Sequence, residues 1–69
     1  MLAQNIRKLR LKRGLSQEKL ARLADISTVT LVKIESGAAK EPTITTVAKI
    51  AGALNVSIDE LVGKIKNKA

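Results

Sequence analysis

Phe, Tyr, Trp, Cys and His are all absent from this 69-residue chain, and there is one proline. Each absence excludes something. Without cysteine there is no disulfide staple and no thiol chemistry. Without histidine as well, the usual zinc ligands and the commonest general base are missing, and with the acids scattered the sequence shows no metal set and no nucleophile–base pair. Without aromatic rings there is no platform on which unpaired bases could stack, which disfavours single-stranded nucleic acid and RNA as partners. No apolar run approaches the roughly 18 residues of a membrane span, and "MLAQNIRKLRLKRG" lacks the apolar stretch of a secretory signal. The expectation is a cytoplasmic protein with no enzyme activity, no cofactor and no metal.

Basic residues are plentiful and unevenly spread. The chain carries 13 Lys and Arg against 6 Asp and Glu, a net charge of +7. Up to Lys40 there are nine bases against three acids; from Glu41 onward four lysines face three acids. A basic N-terminal half suits a polyanion, whether nucleic acid or an anionic membrane surface; without aromatics, any nucleic acid bound is expected to be duplex DNA. Length predicts a single domain over 1–69 with no sensory domain, near the lower limit for a core that folds unaided.

The pattern is helical throughout and shows neither a strand run nor an internal repeat. Leu2, Ile6, Leu9 and Arg13 share a face of a first helix, stopped by Gly14 as a left-handed cap. Ser16 caps a second helix that turns Leu20, Ala21, Leu23 and Ala24 inward. Ser27 caps a third, with Leu31 and Ile34 inward and Gly37 closing it. "GAAKEP" is a loop, after which Pro42 and Thr43 introduce a helix burying Val47, Ile50, Ala51 and Leu54. Ser57 and Glu60 form a capping box for a fifth helix, with Leu61 on the core side. The tail over 64–69 is expected to fray.

The third helix has an unusual outer face. With Leu31 and Ile34 inward, Ser27, Thr28, Val29 and Lys33 project outward, where a solvated helix would carry long charged side chains. Two helices joined by "ADI" over about residues 16–36, with small Ala21 where they meet and Ile26 plugging the turn, have helix-turn-helix spacing. In that motif the second helix enters the major groove. Hydroxyls pair with either kind of base, valine suits a thymine methyl, and lysine reaches guanine O6 and N7. These four residues are the candidate base readers.

From about Ile6 to Leu61 the chain resembles the phage repressor and Cro, or XRE, family. The resemblance is carried by "IRKLRLKRGLSQEKLARLADIS", "IESG" and "ALNVSIDELV", in order and in spacing. It implies a compact, all-α, five-helix lambda-repressor-like domain acting as a sequence-specific regulator, expected to be a repressor. It also implies phosphate contacts from Ser16 and Gln17 at the start of helix 2 and from Ser36 and Lys40 after helix 3. Arg10 and Glu35 match an ion pair tying helix 1 to the end of helix 3. Three positions depart from the family: Asp25 where the turn usually has glycine, Thr28 where several repressors read with glutamine, and Thr43 where some relatives carry arginine. The operator sequence therefore does not transfer.

So small a reader is expected to work as a weak homodimer, whose contact can be weak enough to form only on DNA. Leu54, Val56, Ile58 and Leu61, with Val62, are the candidate dimer contact. The alternative is an antitoxin-like module whose main partner is another protein.

Overall fold

The computed structural model describes residues 2–39 and 42–63. It consists of α1 (Leu2–Lys12), α2 (Gln17–Ala24), α3 (Thr28–Glu35), α4 (Ile44–Leu54) and α5 (Ile58–Val62). Among the described residues there is no strand, and no helix is long and apolar enough to cross a membrane.

Three of the helix junctions are built on one tripeptide pattern: Gly14-Leu15-Ser16, Asp25-Ile26-Ser27 and Asn55-Val56-Ser57. The first residue of each is left-handed, with φ of 69°, 60° and 60°. Its amide and the next one fold back onto the ending helix. Leu15 N–H donates to Arg10 O (3.1 Å), Ile26 N–H to Ala21 O (2.9 Å) and Val56 N–H to Ala51 O (3.0 Å). This satisfies carbonyls that a helix end leaves without partners. The serine then caps the next helix, its Oγ accepting the amide of Lys19, Thr30 or Glu60 at 3.0 Å in each case. The central aliphatic packs on the core, and the fourth residue of each following helix is a fully buried leucine: Leu20, Leu31 or Leu61. One side chain thus follows a C-cap and precedes an N-cap, as a hydrophobic staple. The remaining junction, between α3 and α4, is a longer loop; Thr43 caps α4 by accepting the Thr46 amide at 3.2 Å.

These junctions fold α2 against α3 and α4, while α1 packs on α3 and α5. The enclosed core is Ile6, Leu20, Ala21, Ala24, Leu31, Ile34, Val47, Ile50, Ala51, Leu54 and Leu61. Alanines at 21, 24 and 51 keep the backbones close enough for aliphatic chains alone to close the interior, at roughly 25 cal/mol per Å² of apolar area buried.

Three sequence expectations are corrected. Leu23 is 53% exposed, because the buried stripe of α2 is Leu20, Ala21 and Ala24 and Leu23 falls outside it. Arg13 lies beyond the end of α1 and is exposed; Arg10, one turn earlier, is the arginine that turns inward. Leu54 and Leu61 are fully buried within their own protomer, so neither is available to a second copy. Val56, Ile58 and Val62 remain half-buried. The expected frayed tail, 64–69, lies outside the described residues.

Candidate DNA-binding interface

The interface is anchored by a carboxylate that scarcely reaches solvent. Glu35 ends α3, and its side chain is 4% exposed. Arg10 grips both of its oxygens, Nε donating to Oε2 at 2.7 Å and Nη2 to Oε1 at 3.1 Å. The third arm of the guanidinium, Nη1, donates to Leu15 O at 2.8 Å, in the loop before α2. Gln17, the first residue of α2, adds Nε2 to Oε1 at 3.0 Å. One buried acid therefore joins α1, the α1–α2 loop, the start of α2 and the end of α3. A planar, two-pronged arginine–carboxylate contact fixes angle as well as distance. Among the described residues no buried side-chain nitrogen or oxygen lacks a partner.

The network also dictates which way Gln17 faces. A carboxylate only accepts, so the amide must present Nε2 to Glu35. One N–H of that amino group and the carbonyl Oε1 remain for another partner. Ser16, beside it, spends its hydroxyl oxygen on the Lys19 amide. The one acid in the first turn of α2, Glu18, sits 3.9 Å from Arg22 at the surface, a contact of little energetic weight.

The outer face of α3 carries the candidate base readers. Ser27, Thr28, Val29 and Lys33 are all exposed, Val29 to 63%, and no acid occupies the first turn. Ser27 is constrained by its cap, since its Oγ also donates to Thr30 Oγ1 at 2.8 Å. Among the described residues the side chains of Thr28, Val29 and Lys33 have no such duty. Ser36 caps the far end of the helix; its Oγ donates to Lys33 O at 3.1 Å and accepts the Ala38 amide at 3.3 Å. Gly37 then leaves the helix with φ of 86°, a conformation that favours glycine. Lys40 lies outside the described residues.

Gln17, Glu35 and Ser36 come together around an open cleft of about 250 Å³, whose other walls are Arg7 and Val32. Sequence reasoning missed both of these. For Arg7 the signal was present: it precedes Arg10 by one helical turn and so lies on nearly the same side of α1. Val32, 41% exposed, follows Val29 at the same spacing and extends the apolar strip of α3.

Two helices linked by a tight left-handed turn, the second presenting a free outer face, define an all-α helix-turn-helix protein. A Helix-turn-helix family model matches residues 6–61, and the chain belongs to that family, of XRE type, whose members are DNA-binding transcription regulators. The SPbeta prophage-derived uncharacterized HTH-type transcriptional regulator YopO of Bacillus subtilis (strain 168) is 43% identical over 60 residues, spanning 87% of this chain and 84% of that protein. Among solved structures, SinR, the master regulator for biofilm formation, in complex with DNA, matches with a TM-score of 0.86 and 31% identity. That match covers 90% of this chain and 98% of that one.

Proposed function

We propose that this protein is a sequence-specific double-stranded DNA-binding repressor that lays α3 in the major groove. Thr28, Val29 and Lys33, with Ser27 at the helix start, face base edges, while Ser16, Gln17, Ser36 and Lys40 meet the phosphate backbone. Two copies occupy a pseudo-palindromic operator with half-sites about 34 Å apart. The observation that carries the reading is the outer face of α3: exposed, free of acids in its first turn, bearing short hydroxyls, valine and one lysine. Such a face lacks the long charges of an ordinary solvated helix and offers base edges short donors, acceptors and a methyl-bearing group. The likeness to a regulator solved in complex with DNA supports the same reading.

With Leu54 and Leu61 committed to the core, the residues of that surface left for a second copy are the half-buried Val56, Ile58 and Val62. That leaves a small isologous contact, formed when DNA holds two protomers side by side. Selection of bound duplexes from a random pool, followed by sequencing, tests the whole proposal. The expected product is an enriched site with two-fold symmetry. Recovery of unenriched sequence would remove the specific reading, and an asymmetric single half-site would remove the dimer.

A further inference from the structure

We infer that Arg7 is a phosphate-binding residue of the DNA interface, supplying from α1 the positive charge of the cleft before α2. The inference rests on the proposed docking of α3 in the major groove. Polar groups converge on the cleft from three helices: Arg7 from α1, Gln17 from α2, and Glu35 with Ser36 from the end of α3. At about 250 Å³ the cleft has room for several waters of roughly 30 Å³ each, and hence for one tetrahedral oxyanion.

Its charge balance points the same way. The Glu35 carboxylate, which would repel an anion, is 4% exposed, and both its oxygens already accept from Arg10 and Gln17. Arg10 is spent on that carboxylate and on Leu15 O. Among the described residues Arg7 is therefore the one cation lining the cleft, it is solvent-exposed, and no salt bridge to it is found. Gln17 contributes the N–H that Glu35 leaves over. A guanidinium with a fixed fork of donors and an amide N–H lining the same cleft suit the oxygens of a phosphodiester. Arg10 and Arg7 thus divide two tasks along one helix: the inner arginine holds α3 in place, and the outer one meets the backbone.

The test is the salt dependence of affinity for duplex DNA, on the selected site and on a scrambled one. The unaltered protein should lose about 10³–10⁵ in affinity between 50 and 200 mM salt if two protomers together touch 6–10 phosphates. Arg7→Ala should bind both duplexes about tenfold more weakly at low salt, and its log–log slope should be shallower by about 0.9 per protomer. The preference for the selected site over the scrambled one should be unchanged. Lys49→Ala, removing an exposed cation of α4 outside the cleft, should keep the full slope. Because Arg7 is exposed, its removal should leave the melting temperature unchanged, so lost binding is not lost folding. An Arg7→Ala slope equal to that of the unaltered protein overturns the assignment while the DNA-binding reading stands. So does a changed preference at a single base pair, which marks a base reader. Salt-insensitive binding by the unaltered protein overturns both.

Discussion

The α2–α3 and α4–α5 corners are nearly the same piece of backbone put to different uses. Asp25 and Asn55 both sit at φ 60° and ψ 45°, followed by a half-buried β-branched residue and a capping serine. Beyond the serine they diverge. Ser57 is locked into a reciprocal box, Glu60 Oε1 accepting the Ser57 amide at 3.0 Å, and α5 opens with two carboxylates, Asp59 and Glu60. Ser27 shares its hydroxyl with Thr30, and α3 opens without an acid. The positive end of a helix dipole is thus neutralised in α5 and left open in α3. α3 is also pinned at its far end by buried Glu35. A helix-turn-helix corner is therefore a folding device first; the charge of the following turn decides whether it can face a polyanion.

The comparison is most easily broken at the pin. Glu35→Ala leaves the Arg10 guanidinium buried without its carboxylate and should cost about 3–5 kcal/mol. Small domains sit at the low end of a total stability of about 5–15 kcal/mol. The variant should therefore be largely unfolded, or melt far below the parent, in a circular-dichroism melt. An unchanged melting temperature would show that the four-way junction does not hold α3.

Next in size is the reading face itself. Lys33→Ala should cost about 1–3 kcal/mol on the selected duplex and relax preference at one base pair in each half-site. Equal losses on selected and scrambled duplexes in a competition assay would move Lys33 from the bases to the backbone.

The two capping serines give a paired test. Ser27→Ala and Ser57→Ala should each lower stability by about 1 kcal/mol, read from urea midpoints. Only Ser27→Ala should also weaken DNA binding once the folded fraction is matched. Equal effects of the two on DNA affinity would mean that the α3 corner has no special place in the interface.

The smallest effect concerns the left-handed residues. Asp25→Gly should raise stability by about 0.5 kcal/mol, relief of left-handed strain outweighing the greater freedom of glycine in the unfolded chain. Asn55→Gly should gain less, because asparagine accepts that conformation more readily. A drop in the melting temperature of Asp25→Gly would indicate that the Asp25 side chain stabilises the corner.

Helix starts and stops were legible in advance because caps are local. Ser16, Ser27, Thr43 and Ser57 each reach an amide three residues away, and no distant part of the chain can alter that distance much. The inward set of α4 was equally plain from its spacing. Partners of long side chains were harder to read. Glu35 was matched to Arg10 through the family resemblance alone, whereas its bond to Gln17 and the place of Arg7 beside it went unread. Leu23 misled because periodicity specifies a stripe on a helix but not how far its neighbours extend to cover it. Leu54 and Leu61 misled in the opposite sense. Both are legible as inward residues, but the gap closed by α1, α4 and α5 takes each side chain whole and leaves neither for the dimer contact also expected of them.

The sequence by itself determined the five helices, their order, the left-handed corners and the outward hydroxyl-and-valine face of α3. Those follow from interactions within a few residues, whose geometry the backbone nearly dictates. Only the tertiary structure decided that Arg10 rather than Arg13 would be buried and that Gln17 would turn its amide toward Glu35. It also decided that Arg7 would lie exposed beside a cleft, with no salt bridge among the described residues. Each of those outcomes depends on three helices meeting at one point. Desolvating a charge there is tolerable only when every donor and acceptor around it is matched at once.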